Sequence, residues 1–273
     1  MTKLLDRLLL NKEAIQYTFD SSNTFPLEKH IILLGFRGSV SHNLYLPKDD
    51  SIDDIDLLGV IIPPKEYYFG LHKFEQVESF KVGSRFDLVA YEIRKFFRLM
   101  SKMNPNVMSM LWLCPEHYLI ITDLGQKILD NRCLFSSKQC YNTFCGYAYG
   151  QLKRMTHFQK YEGYMGKKRK QLVDKFGYDV KNASHLIRIL TMGIEFLKTR
   201  ELNVYRYKDR EILLDIKNGK WSLEKVKEKA EILFKDLEKA KDDSSLPDKT
   251  NSEQINKLLI EIVENYFQKE KLC

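Results

Sequence analysis

Two stretches decide the fold of this chain, Gly35-Phe-Arg-Gly-Ser39 and Asp54-Ile-Asp-Leu-Leu-Gly-Val60. The first follows the apolar run His30–Leu34, which has the length and composition of a buried strand. The second opens another apolar run, residues 55–62, which predicts a further strand closed by Pro63-Pro64. A glycine and a small hydroxyl residue directly after a buried strand let backbone amides approach a phosphate, and a helix starting there would add its positive end. The pattern therefore indicates a phosphate-binding turn.

The spacing of the acidic residues in the second stretch predicts a metal site. Asp54 and Asp56 are two positions apart on a predicted strand, so both side chains leave one face, whereas Ile55 and its apolar neighbours point into the core. Two such close carboxylates repel each other unless a divalent cation lies between them, and oxygen ligands of this kind suit Mg²⁺. A third strand, predicted over residues 86–89, would add the carboxylate of Asp87. The alternative is an acidic surface loop whose carboxylates are only solvated.

The ordered set of a Gly-Ser pair, a spacer, an Asp-x-Asp strand and a later single Asp resembles the DNA polymerase beta superfamily of nucleotidyltransferases. Further stretches are similar to the nucleotidyltransferase family associated with RNA repair operons and phages: Tyr91-Glu-Ile-Arg-Lys-Phe96, Asn104-Pro-Asn106, Lys181-Asn-Ala-Ser-His-Leu-Ile-Arg188 and Leu213-Leu-Asp-Ile-Lys-Asn-Gly219. The resemblance implies an α+β fold, in which a small mixed-sheet catalytic core precedes an all-helical C-terminal domain. It also implies two Mg²⁺ ions and transfer of a nucleoside monophosphate from an NTP.

This resemblance assigns roles to the residues of the two stretches. Asp54, Asp56 and Asp87 would be the catalytic metal ligands, and Gly38 and Ser39 would contact the triphosphate. The expected acceptor is an RNA end, tRNA first, which also agrees with the modestly basic balance of 44 Lys and Arg against 37 Asp and Glu. Two alternatives stay open at this stage. One is a small-molecule or protein acceptor, and the other is a non-catalytic protein that keeps the nucleotide pocket as a sensor.

The second half of the chain carries two basic features. Lys181, His185 and Arg188 recur at i, i+4 and i+7 on a helix predicted over residues 181–200, almost opposite its leucine stripe. They are expected to bind the triphosphate or the acceptor backbone, and the alternative is a solvated face. The densest basic run is a candidate RNA contact or a plain solvated run: Lys167, Lys168, Arg169 and Lys170. His42 and Asn43, just after the Gly-Ser pair, have the composition of a turn.

Composition sets the class of the chain. With 44% hydrophobic and 30% charged residues over 273 positions, it is expected to fold into a catalytic domain, residues 1–115, and a helical substrate-binding domain, residues 116–273. No apolar run approaches the roughly 18 to 20 residues that a membrane helix needs, and no signal peptide is predicted. The five cysteines are odd in number and lack the paired spacing of a zinc site. Reduced thiols in a cytoplasm are therefore expected.

Overall fold

The computed structural model describes residues 25–45, 55–80, 86–156 and 167–270. Within these ranges one sheet has five strands: β1 (Ile31–Phe36), β2 (Ile55–Ile61), β3 (Gln76–Phe80), β4 (Phe86–Glu92) and β5 (Tyr118–Ile121). Their order is β3-β4-β2-β1-β5, and β2 and β4 are parallel while the other neighbours are antiparallel. The predicted α+β class and mixed sheet are confirmed. Strands β1, β2 and β4 were predicted from their apolar runs, but β3 and β5 were not.

Helices cover one face of the sheet and make up most of the second half of the chain. In chain order they are α1 (Leu27–His30), α2 (Gly38–Ser41), α3 (Glu66–Phe69), α4 (Ile93–Ser101), α5 (Pro105–Met108), α6 (Asp123–Asp130), α7 (Gln139–Thr156), α8 (Lys167–Phe176), α9 (Val180–Thr199), α10 (Arg210–Lys217), α11 (Leu223–Asp242) and α12 (Ser252–Glu270). Hydrogen-bonding side chains fix several of their starts. The Asp179 carboxylate accepts from the Asn182 amide at the start of α9, and the Ser222 hydroxyl accepts from the Lys225 amide at the start of α11.

The two faces of the sheet belong to two cores. Leu58 and Val60 of β2 lie in the large core shared with the helices, whereas Ile55 and Leu57 lie in a smaller core on the opposite face. This alternation follows from the period of two along a strand. Asp56 has the parity of Leu58, so its side chain leaves the sheet on the face toward the helical half.

Helix α9 is the centre of the helical half. It packs against α7, α10 and α11. Gly193 allows a close approach, because a Cβ atom there would stand 3.0 Å from both Phe144 of α7 and Leu237 of α11. The helices therefore pack around α9 into the same hydrophobic core that supports one face of the sheet.

The two halves of the sequence pack together in two places, through the last helix and through strand β5. Helix α12 packs on α4 and α6, and the Tyr266 hydroxyl lies 2.7 Å from Nδ1 of His30, next to β1. Strand β5 pairs with β1, although it lies beyond residue 115. The proposed boundary between residues 115 and 116 therefore leaves one strand of the sheet on the helical side, and the division into domains stays a prediction.

Two further expectations concern the cysteines and the membrane. Cys114, Cys133, Cys140 and Cys145 are free thiols, and the last two share α7. Cys273 lies outside the described residues. In the part of the chain that the structure describes, no helix combines the length and the apolar character that a membrane span requires.

Candidate active site

Asp56 and Asp87, called here the carboxylate pair, lie side by side at one end of the sheet. They are direct partners in the register of the parallel strands β2 and β4, so their side chains leave the same face. Their side chains are 31% and 35% exposed, whereas Ile55 and Leu57 beside Asp56 are buried. The structure thus brings together two of the three predicted metal ligands. Asp54, the third, lies outside the described residues.

The turn after β1 touches the carboxylate pair through a glycine. Gly38 has a φ of +66°, and a Cβ atom there would stand 2.1 Å from Oδ2 of Asp56. The amide of Arg37 donates to the Asp56 carbonyl at 2.9 Å, which ties the turn to β2. Ser39 is partly exposed, and its hydroxyl forms no hydrogen bond with the described residues. The left-handed backbone and the lack of room for a Cβ atom both require glycine at position 38. The Ser39 hydroxyl, which has no hydrogen-bond partner among the described residues, is available to a ligand.

Arg37, for which the sequence predicted no role, provides the positive charge beside the carboxylate pair. One guanidinium nitrogen lies 4.0 Å from Oδ1 of Asp56 and 3.8 Å from Oδ2 of Asp87. Both distances exceed the usual limit of about 3.2 Å for a hydrogen bond. The signal was present in the sequence, because Arg37 immediately precedes the Gly-Ser pair.

His42 connects the turn to the helical half. Its Nδ1 lies 3.0 Å from the Val204 carbonyl, which can only accept, so Nδ1 carries the proton and donates. Its Nε2 then accepts from the Arg188 guanidinium at 2.7 Å. Burial, together with the nearby cation of Arg188, lowers the pKa of His42 well below its usual value. The structure thus gives this turn residue a specific role, holding the Gly-Ser turn against α9 as a neutral imidazole.

Asn43 and Leu44 extend this attachment. Asn43, with a left-handed φ of 60°, donates from Nδ2 to the Arg206 carbonyl at 3.1 Å and accepts at its own carbonyl from Arg210 at 3.0 Å. The Leu44 carbonyl accepts from Lys217 at 3.0 Å. Sequence reasoning could not find these contacts, because they join residues more than 160 positions apart.

Arg206 anchors the segment that receives the turn. Its side chain is 2% exposed and forms paired hydrogen bonds of 2.6–2.9 Å with the carboxylates of Glu195 and Asp209. A further bond of 2.8 Å reaches the Asn203 carbonyl. Burial alone would lower its pKa, but the two carboxylates raise the pKa of Arg206 above its ordinary value. This network is a structural element that fixes the loop after α9.

The predicted basic face of α9 lies where this attachment occurs. Lys181 is exposed and His185 and Arg188 are partly buried, while the residues between them are buried. Within the described part of the chain, Arg188 forms no ion pair with a carboxylate; it donates hydrogen bonds to His42 and to the sulfur of Met192. Burial, and then the nearby cation of Arg206, lower the pKa of Arg188 to about 9. A partly buried cation that makes no ion pair with the described carboxylates favours an anionic ligand.

The basic run Lys167–Lys170 forms the first turn of α8. Lys170 is exposed, and the side chains of the other three residues lie outside the description. Its assignment to RNA stays a prediction.

The donor set at the carboxylate pair fits a divalent cation. Within residues 25–45, 55–80, 86–156 and 167–270, no group of three or more His, Cys, Asp or Glu side chains forms a metal site. Asp56 and Asp87 nevertheless offer adjacent carboxylate oxygens, the ligands that Mg²⁺ prefers. Asp54, two positions from Asp56, would complete the set by its place in the sequence.

A Gly-Ser turn that faces paired carboxylates on neighbouring strands is the arrangement of the nucleotidyltransferase class. The family model that matches, over residues 28–261, is RlaP, the RNA repair pathway DNA polymerase beta family. The chain belongs to this family, as the resemblance implied. Among solved structures, a nucleotidyltransferase-like protein from Exiguobacterium sibiricum matches with a TM-score of 0.32 and 12% identity, over 86% of this chain and 74% of that one. A search of curated proteins finds no match.

Proposed function

We propose that this protein transfers a nucleoside monophosphate from an NTP to an acceptor hydroxyl at an RNA end, tRNA first, in a reaction that requires Mg²⁺. The observation that supports this most directly is the contact between Gly38 and the Asp56 carboxylate, with Asp87 beside it in register. In this proposal the turn binds the phosphates, and the carboxylates beside it hold the divalent cation. Membership of the family supports the same chemistry.

In this proposal the acidic residues of the site bind metal ions, and the hydroxyl and basic residues bind phosphates. Asp56 and Asp87, with Asp54 by its position, would hold the two metal ions. Bound there, the ions would supply neutralisation of the triphosphate, activation of the acceptor hydroxyl and stabilisation of the pyrophosphate. Ser39 donates its free hydroxyl to a phosphate oxygen. Arg188 and Lys181 add positive charge from α9, and His185 on the same helix face is a further contact for the nucleotide.

The family description and the basic run of α8 support RNA as the acceptor. The sequence of the first turn of α8, Lys167–Lys170, is wholly basic, and the helix dipole disfavours positive charge there unless it is solvated or paired with an anion. RNA phosphates supply such anions. A small-molecule or protein hydroxyl remains the alternative acceptor, and a sensor without turnover is the alternative function.

Labelled nucleotides separate these possibilities. The protein is incubated with each of the four α-labelled NTPs, Mg²⁺ and total RNA, and the label in RNA, protein and small-molecule fractions is counted. We expect label in RNA, lost with Asp56→Asn and retained with Asp215→Asn. Asp215 is a matched control because it is a partly exposed carboxylate paired with a cation, Lys220, on α10. Label only in another fraction would redirect the acceptor, and no label in any fraction would favour the sensor.

RNA contact by α8 is tested by salt dependence. The logarithm of RNA affinity should fall with the logarithm of salt by about 0.7 to 0.9 per phosphate contact. Changing all of Lys167–Lys170 to Gln should flatten this slope by up to about three units while leaving NTP affinity unchanged. Identical slopes for the two proteins would remove this run from the RNA site.

A further inference from the structure

The Arg37 backbone is held firmly in the fold, but its side chain is held only loosely by the described residues around it. Its backbone is fixed, since its amide donates to the Asp56 carbonyl at 2.9 Å. Its guanidinium, which carries five N–H donors, forms no hydrogen bond to any residue in the described ranges. The guanidinium only approaches the carboxylate pair, at 3.8 and 4.0 Å, with 25% of the side chain exposed.

The position of Arg37 is nevertheless the one where charge is needed. Asp56 and Asp87 are neighbours in register, and two adjacent carboxylates repel each other unless a cation is near both. One Arg37 nitrogen faces an oxygen of each. A cation at this position stabilises the pair before any metal arrives, and a divalent cation placed between the same oxygens would repel it.

Arg37 also lies next to the turn that faces the phosphates. It directly precedes Gly38 and Ser39, so its long side chain is anchored beside any phosphate that this turn binds. A planar guanidinium binds phosphate oxygens in a bidentate manner, which a point charge does not match.

We propose that Arg37 is an exchangeable counter-ion: it neutralises the carboxylate pair in the absence of metal, leaves when a divalent cation binds, and then contacts the triphosphate. This inference rests on the proposed function and adds regulation to it. Metal entry and nucleotide capture become coupled, because the cation that the metal displaces is the one that receives the substrate. Arg37 therefore weakens metal binding in the absence of nucleotide and strengthens nucleotide binding in the presence of metal.

The test measures Mn²⁺ and nucleotide binding separately, on the full chain and without turnover. Free Mn²⁺ is followed by electron paramagnetic resonance in wild type, Arg37→Met and Arg154→Met, the last being a matched loss of one exposed charge on α7. We expect Arg37→Met to bind Mn²⁺ about two- to fivefold more tightly than wild type, which is the effect of removing one partly exposed charge. Its affinity for a non-hydrolysable NTP with Mn²⁺ should fall roughly tenfold or more. Arg154→Met should change neither by this amount.

Tighter binding of Mn²⁺ together with weaker binding of the nucleotide distinguishes this role from a merely structural one, since a damaged site would bind both ligands more weakly. Unchanged or weaker Mn²⁺ binding by Arg37→Met would overturn the counter-ion role, and unchanged nucleotide affinity would overturn the transfer to phosphate. Asp56→Asn provides the separate check on the proposed function. If wild type and Asp56→Asn bind Mn²⁺ equally, the carboxylate pair is not a metal site, and both the function and this inference fail together.

Discussion

Arg206 and Arg37 show two ways in which this fold treats a cation between two carboxylates. Arg206 is almost fully buried and makes paired hydrogen bonds of 2.6–2.9 Å to Glu195 and Asp209. Arg37 is partly exposed and only approaches Asp56 and Asp87, at 3.8–4.0 Å. Arg206 is thus hydrogen-bonded to both of its carboxylates, whereas the Arg37 guanidinium is hydrogen-bonded to neither the Asp56 nor the Asp87 carboxylate.

The two arrangements suit two purposes: the Arg206 network suits stability of the fold, and the carboxylate pair suits the binding of ligands. A buried ion pair must satisfy its hydrogen bonds or it destabilises the fold, and the Arg206 network does so next to the segment that holds Asn43. Asp56 and Asp87, which must exchange one partner for another in this account, instead need an accessible position and a weakly held counter-ion. The account therefore predicts that changes at the carboxylate pair affect transfer but not stability, and that changes at the Arg206 network do the opposite.

The largest expected effect is on transfer when the carboxylate pair is broken. Asp56→Asn or Asp87→Asn removes a metal ligand, and because the ligands act as a unit, either should lower kcat on the order of a thousandfold or more. The thermal midpoint should stay within a few degrees of wild type, since these side chains are partly exposed. Steady-state kinetics and calorimetry on the same preparations check both statements. Near wild-type turnover in either variant would contradict the assignment.

The next effect is on stability at the Arg206 network. Arg206→Met leaves Glu195 and Asp209 without their cation in a mostly buried position, which should cost about 3 kcal/mol of unfolding free energy. Urea titration measures this loss. Lys220→Met, which removes an exposed ion pair with Asp215, should cost less than about 1 kcal/mol. Equal losses in the two variants would show that the Arg206 network contributes no special stability.

A glycine pair sharpens the comparison further. Gly38→Ala must adopt a φ of +66° and push away the Asp56 carboxylate, whereas Gly177→Ala must adopt a φ of +77° with nothing within 4 Å of the new methyl. Both should lose about 1 to 2 kcal/mol of stability from the left-handed backbone, and only Gly38→Ala should lose transfer. Chemical denaturation and the transfer assay decide it. Normal transfer by Gly38→Ala would mean that the contact with Asp56 is not needed.

The smallest expected effect is a pH dependence of stability. Burial lowers the pKa of His42 and of His117, while in the unfolded chain both titrate near 6.5. Below that pH the unfolded state binds protons that the folded state does not, so stability is full above about pH 7 and falls on acidification. The slope is at most about 1.4 kcal/mol per pH unit for each histidine.

His42→Gln isolates the share of one histidine. The unfolding free energy of this variant should fall less between pH 7 and pH 5.5 than that of wild type, whereas the exposed His72→Gln should follow wild type. A His42→Gln curve parallel to wild type would show that His42 is not held neutral in the folded protein.

The sequence predicted the elements around the site because their signals are local. The apolar runs of β1, β2 and β4 have strand length, and the single-position alternation around Asp56 places its side chain away from Leu57. The helix predicted over residues 181–200 was also readable, because its leucine spacing is a local signal, and the structure has it at Val180–Thr199.

What the sequence did not predict depends on distant partners or on weak local patterns. Strand β3 is a polar edge strand and β5 has only four residues, so neither carries a clear period. The attachment of His42 to Val204 and Arg188 joins segments far apart along the chain, and no spacing rule reveals it. Arg37 was visible in the motif, but its place between two carboxylates depends on the register of β2 and β4, which only the folded sheet defines.

The most direct test of the central claim is a crystal of the protein with Mn²⁺ and a non-hydrolysable NTP, measured for anomalous scattering. The account predicts an anomalous peak within about 2.2 Å of carboxylate oxygens of both Asp56 and Asp87, with the triphosphate against Gly38 and Ser39. It also predicts that the Arg37 guanidinium has left the carboxylate pair. A nucleotide and metal bound elsewhere, with Arg37 still between Asp56 and Asp87, would contradict the assignment of this edge of the sheet as the catalytic site.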